Sequence, residues 1–257
     1  MSLIEINAAG MSDAGRVRPV NQDYFLVNIP LCLFAVADGV ESVKGSEVAS
    51  RMAIELLEKQ IRELNLSDDA TPPFEGNPGI PLPARALKYV MRQINRQIYK
   101  YSRENQKYAG FGTTLTVVWV TQGKAFIGHI GDSRAYLIRK KMAQHLTSDH
   151  TTLSEKIPDR PQDLELYEDV GSISEHELSR AVGINPDVQV QVGSGIPAPN
   201  DRFVLCTDGL YGQLKDFEIA DIVANNFPQM ACAKLIQTAN KRGGSDNIAV
   251  VVLEIAS

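Results

Sequence analysis

Four aspartates stand where buried strands should end. Asp38-Gly39 closes an apolar run from Leu31 to Ala37, Gly131-Asp132 closes Ala125 to Ile130, Asp208-Gly209 follows Phe203 to Cys206, and Asp246-Asn247 precedes Ile248 to Ile255. A single Asp-Gly pair is an ordinary turn signal. Four carboxylates at the ends of adjacent strands converge, and converging carboxylates repel unless a cation sits between them. The chain has only 4 histidines, so the ligands would be oxygen atoms, which select Mg²⁺ or Mn²⁺ over Zn²⁺. A pair of such ions holds a water or hydroxide between them, lowers its pKa and presents it in line to phosphorus. Phosphoester hydrolysis is the chemistry this predicts. The oxygens not under attack call for a fixed cation, best supplied by a planar guanidinium. The stretch SDAGRVRPVNQDYF offers Arg16 and Arg18 just ahead of Asp23.

These residues need elements to hold them. Phe25 to Val27, Leu31 to Ala37, Thr114 to Thr121, Ala125 to Ile130, Ala135 to Ile138, Phe203 to Cys206 and Ile248 to Ile255 are short β-branched or aromatic segments bounded by Gly, Asp and Asn, and read as strands. Helical spacing runs from Ser46 to Leu64 and again through Leu87, Val90, Met91, Ile94 and Ile98. Two further helices are expected over Asp216 to Asn226 and Gln229 to Lys241. Ser67 to Pro83 is rich in Pro and Gly and reads as a surface loop. The polar stretch from Thr147 to Asp187 reads as a surface flap or insertion. Strands at both ends, with a helix pair in each half, suggest two packed sheets covered by helices in one domain over 1–257.

Composition removes several function classes. The formal charge is −5, with 26 Lys plus Arg against 31 Asp plus Glu, so no basic face dominates that would serve a nucleic-acid backbone. A metal-dependent nuclease shares the carboxylate logic but wants a basic groove. Met1 to Gly10 lacks a basic region followed by an apolar stretch, and no apolar run could span a bilayer. A cytoplasmic, soluble monomer without a membrane or nucleic-acid partner is expected. Cys32, Cys206 and Cys232 lie far apart in apolar runs and read as core thiols in a reducing compartment. None of them has Arg six positions later, which argues against a cysteinyl-phosphate mechanism. No Asp-x-Asp occurs, so the common aspartyl-phosphate nucleophile is missing. Lys44-Gly45-Ser46 misses the order of a phosphate-binding loop. His129, His145, His150 and His176 stand beside no plausible nucleophile and read as structural or solvated.

The segments GRVRPVNQDYF, FAVADGV, GFGTTLT, IGDSRAYL, LCTDGLYG and GGSDNIAVVV follow one another as in the metal-dependent protein phosphatases of the protein phosphatase 2C type. From about Ala9 to Ile255 the chain resembles that family, and its bacterial branch most closely. The resemblance implies a serine/threonine phosphoprotein phosphatase with an α+β fold, a four-layer α-β-β-α sandwich of two mainly antiparallel sheets flanked by helix pairs. It further implies two Mn²⁺ or Mg²⁺ ions. Asp38 would bridge them, the Gly39 carbonyl would bind one, and Asp208 and Asp246 would complete the site. Asp132 would share a weaker third ion with Asp208. Arg18 would bind phosphate, and Asp23 would lie in or beside the metal shell, whereas Arg16 matches no functional position. A metal-bridged hydroxide would then attack phosphoserine or phosphothreonine directly, with Arg18 and Asp38 central to catalysis. The partners implied are phosphoproteins, and a serine/threonine kinase that the enzyme opposes. Two departures stand out. Val40 occupies the place of a histidine proposed as general acid in many eukaryotic members, and Val40 to Gly45 replaces the glycine pair and histidine usual in bacterial members. A catalytically silent, partner-binding relative is the alternative, but it should have lost a ligand, and Asp38, Asp132, Asp208 and Asp246 are all present.

Overall fold

The computed structural model describes residues 5–40, 45–64, 79–152 and 178–256. Among these residues ten strands form two antiparallel sheets. The first has the order β1 (Ile6–Asp13), β10 (Ile248–Ile255), β9 (Arg202–Cys206), β6 (Arg134–Arg139), β7 (Met142–His145). The second has the order β2 (Asp23–Asn28), β3 (Leu33–Asp38), β4 (Leu115–Thr121), β5 (Lys124–Ile130), β8 (Gln191–Gly195). Helices α1 (Ser46–Glu63) and α2 (Leu82–Glu104) cover the second sheet. A single helical turn α3 (Asp208–Tyr211), α4 (Asp216–Ala224) and α5 (Pro228–Lys241) cover the first. The expected α-β-β-α layering is the architecture found.

Strand patterning explains the layering. In β3, Leu33, Ala35 and Ala37 face α1 and α2, while Phe34 and Val36 face the opposite sheet. In β10, Ile248, Val250 and Val252 meet α5, while Ala249, Val251, Leu253 and Ile255 fill the space between sheets. Side chains alternate between the faces, and both faces are buried, so these strands read as unbroken apolar runs. In α1, Ala49, Ala53, Leu57 and Ile61 recur every four residues and are buried on the sheet.

Several expectations need correction. Strands β1, β7 and β8 were not expected at all, although all three lie at sheet edges. Pro83 belongs to the first turn of α2 rather than to a loop; residues 67–78 of that stretch lie outside the described residues, as do 65–66 and 41–44. Of the segment 147–187, the interior 153–177 lies outside them, His176 included, and each flank is part surface, as Ser148 and Ile184 to Asp187 are exposed, and part core. Thr147, His150 and Thr151 are buried, and Val182 joins the helix-side core and pairs with Thr113. Cys206 and Cys232 are buried thiols, whereas Cys32 is only half-buried, in the β2–β3 turn with a left-handed φ of 46°. Among the described residues no helix is long and apolar enough to cross a membrane.

Candidate active site

Asp38 ends β3, and its backbone is held on both sides. Its N–H donates to Thr114 Oγ1 at 2.9 Å, and its carbonyl accepts from Thr114 N–H and from Thr113 Oγ1, both at 2.8 Å. The next residues continue the clamp, with Gly39 N–H on Gln22 O at 3.2 Å and Val40 N–H on Gly112 O at 3.0 Å. Asp23 begins β2 directly opposite Asp38 in the strand register. Asp132 sits on the β5–β6 turn, which Gly131 turns at φ 111°, a conformation that favours glycine. Asp208 opens α3 at the end of β9, and Asp246 lies in the turn before β10.

Arg18, Asp38, Gly39, Asp132, Asp208 and Asp246 all line one cleft of about 890 Å³. Four strand ends of two sheets thus deliver one acidic cluster. Asp23 does not line the cleft. It lies behind Asp38, 3% exposed, with Oδ2 accepting from Thr207 Oγ1 at 2.7 Å. Arg16 is exposed and outside the cleft. Arg18 forms a fork on Asp246, Nε to Oδ1 at 3.1 Å and Nη2 to Oδ2 at 3.0 Å.

Electrostatics reflects the crowding. Burial, with Asp208 and Asp246 nearby, pushes Asp23 up to about 7 against the Thr207 hydrogen bond that lowers it. Burial and then the neighbouring Asp23, Asp208 and Asp132 hold Asp38 well above the usual carboxylate range. Burial, followed by Asp208 and Asp149, takes Asp132 to about 8. Carboxyls so placed either keep a proton or take a cation. The donor set fits a hard divalent ion in kind: carboxylates from four strand ends with the Gly39 backbone beside them, and Asp23 behind, hydrogen-bonded to the Asp38 carboxyl. As the side chains stand, no three acidic, histidine or cysteine groups among the described residues converge closely enough to hold an ion. Asp246 is turned to Arg18, so ion uptake would need these side chains to close together.

Residues beyond those expected build the frame. Thr207 bonds Asp23 and also bridges to β10, accepting from Ala249 N–H at 2.8 Å. Asn247, 5% exposed, accepts from Gln22 N–H at 2.8 Å and donates to Ala14 O and Val20 O, each at 3.0 Å, so it staples the loop that carries Arg18. Thr114 Oγ1 meets Ser133 Oγ at 2.7 Å, tying β4 to the Asp132 turn. The signal for these residues was available: each is a polar residue beside a key aspartate or within an otherwise apolar strand segment. His129 is fully buried between Thr116 Oγ1 at 2.9 Å and Ser148 O at 3.2 Å, and burial pushes it down to about 3, so it serves structure as a neutral ring.

The chain matches the family described as Protein phosphatase 2C over residues 16–250. It is 28% identical to the serine/threonine phosphatase stp of Listeria monocytogenes, with 97% of this chain and 96% of that protein covered. Among solved structures it resembles the catalytic domain of the serine/threonine phosphatase PstP in complex with 2 manganese ions, at TM-score 0.79 and 26% identity over 98% of this chain and 99% of that one. It also resembles the Ser-Thr phosphatase MsPP of Mycobacterium smegmatis in complex with cacodylate, at TM-score 0.76 and 30% identity over 97% and 98% of the two chains.

Proposed function

The chain belongs to the protein phosphatase 2C family and is a serine/threonine protein phosphatase, and on that premise we propose that it removes phosphate from phosphoserine and phosphothreonine in proteins by a metal-dependent, direct displacement in the Asp38 cleft. One observation carries the reading: Asp38, Asp132, Asp208 and Asp246, from four separate strand ends, line one cleft together with Arg18. Asp38, Asp208 and Asp246, with the Gly39 carbonyl, would hold two Mn²⁺ or Mg²⁺ ions, and Asp132 with Asp208 could hold a third. Bound there, the ions supply an activated water and neutralise charge on the phosphoryl oxygens.

The chain's own residues do the rest. Arg18 stands at the cleft, its side chain 37% exposed, where its planar donors can orient phosphoryl oxygens. Its pairing with Asp246 holds the guanidinium at the edge of the acidic cluster rather than free in solvent. Asp23 backs Asp38 from the neighbouring strand β2, and Thr207 holds it there. Thr113 and Thr114 fix the Asp38 backbone so that its carboxylate meets the cleft in one orientation. Val40 carries no proton, and its backbone is committed to Gly112 and to the Ser46 hydroxyl at 2.6 Å. The leaving serine or threonine oxygen therefore takes its proton from water in the cleft rather than from a side chain at that position.

The molecule acts as a single catalytic domain, a cytoplasmic monomer opposing a serine/threonine kinase, without a nucleic-acid or membrane partner. Hydrolysis of an aryl phosphate and of a phosphothreonine peptide tests the reading, with chelator, Mg²⁺ or Mn²⁺, in wild type and Asp208→Asn. Activity should need the metal and fall by about two orders of magnitude or more in the variant. Equal turnover in chelator, or an undiminished variant, would sink the metal-dependent mechanism. No turnover under any metal would favour a partner-binding role.

A further inference from the structure

We propose that Tyr211 is a positioning residue of this reaction, fixing the separation of Asp132 and Asp208 and so the strength with which that edge of the cleft holds a divalent ion; the inference rests on the metal-dependent reading above. Asp208 and Tyr211 are the first and last residues of α3. Three residues apart on one helical turn, they lie on the same side of it. The Tyr211 hydroxyl donates to the backbone carbonyl of Asp132 at 3.1 Å. One short turn therefore carries a cleft carboxylate at its start and, at its end, a brace on the backbone of a second.

The brace is itself held. The Arg134 guanidinium lies over the Tyr211 ring, 3.7 Å from its centroid, a stacking that fixes the ring plane. Arg134 is locked by Asp149, with Nε to Oδ1 at 3.0 Å and Nη2 to Oδ2 at 2.7 Å, both side chains largely buried. The same segment also grips the turn directly. His150 N–H donates to Gly131 O at 2.7 Å, and Gly131 N–H donates to His150 Nδ1 at 3.1 Å. The Asp132 turn is thus held by both the His150 segment and Tyr211, while Asp208 moves with Tyr211. Asp149 also neutralises Arg134, a nearby cation that would otherwise compete with a metal for Asp132.

Tyr211→Phe keeps the ring and removes only the hydroxyl. Direct Mn²⁺ titration, followed by the electron paramagnetic resonance of the free ion, should show the weakest class of sites loosened about fivefold, the effect one neutral hydrogen bond supports. The Mn²⁺ concentration that half-activates aryl phosphate hydrolysis should rise by about the same factor, with KM for the ester within about twofold. In an Asp132→Asn background the same change should add nothing to either titration, because the hydroxyl acts through Asp132. Titrations of Tyr211→Phe that match wild type overturn the proposal. So does a loss shared by every class of site, or one as large without Asp132 as with it, which would mark a merely structural role. A wild-type chain that takes up no Mn²⁺ overturns the metal-dependent reading itself and this inference with it, so the two failures are distinguishable.

Discussion

Replacing Asn247 with alanine should both destabilise the protein and impair catalysis, although Asn247 touches no substrate. Its side chain makes three hydrogen bonds, to Gln22 N–H, Ala14 O and Val20 O, and it is 5% exposed. At about 1 kcal/mol net for each bond, the ceiling is near 3 kcal/mol. Val20 and its loop lie at the surface, where water can take over part of the lost bonding, and the expected loss is about 2 kcal/mol. For a chain of this size that lowers Tm by roughly 4–8 °C. The freed loop carries Arg18, so the guanidinium loses its fixed place at the cleft. A displacement on the order of 1 Å should cost about 10- to 100-fold in kcat/KM for an aryl phosphate. Asn247→Asp should do no better than alanine, since its second oxygen would face two carbonyls that need a donor. Thermal unfolding and steady-state kinetics of the three proteins check this. A Tm within about 1 °C of wild type together with kcat/KM within about twofold would refute the claim that Asn247 sets the position of Arg18.

Two other positions give sharp expectations. His129 is buried and pushed down to about 3, so the folded state excludes a proton that the unfolded chain takes up near its ordinary pKa of about 6.5. Its contribution is therefore whole above that pH and is lost as the pH falls toward the folded value, about 2 kcal/mol by pH 5. His129→Gln should flatten the acid limb of a denaturant-measured stability profile, and parallel profiles for the two proteins would contradict the assignment. At Gly209 a Cβ would lie 2.0 Å from the Asn247 carbonyl oxygen. Gly209→Ala must therefore push α3 away from β10, with a cost of about 1–3 kcal/mol and near-complete loss of activity as Asp208 is displaced. Gly193→Ala, where a Cβ meets nothing within 4 Å, serves as the control and should match wild type in both measurements.

Legibility followed burial. The strands that were readable, such as β3, β4, β5 and β10, are interior or covered on both faces, so nearly every residue in them is apolar. The ones that were not, β1, β7 and β8, run along sheet edges, as does β2, which was readable because Phe25, Leu26 and Val27 are all apolar. Gln191, Gly193 and Ser194 in β8 and Gln144 in β7 have no second face to bury, and their pairing comes from the neighbouring strand rather than from their own pattern. Helix periodicity was equally plain for α1 and α2, while α3 is one turn long and carries no period. Cys32 looked like part of an apolar strand, but a left-handed φ at that residue ends the β2–β3 turn, a backbone choice no apolar pattern encodes.

The sequence by itself determined the chemical inventory: aspartates at strand ends, an arginine ahead of Asp23, few histidines, and no nucleophile for a phosphoenzyme. It also pointed to the layers, because strands apolar on both faces need cover on both sides, and a helix pair in each half of the chain supplies two of the covers. Tertiary structure alone decided which groups meet. Asp23 reaches Asp38 through strand register, Arg18 meets Asp246 across more than two hundred residues, and Asn247, Thr207 and Tyr211 become part of the site by bracing loops they are distant from in the chain. Residue type fixes what a side chain can do. Distance, desolvation and the partner that holds it fix what it does, and those arise only when the two sheets close on each other.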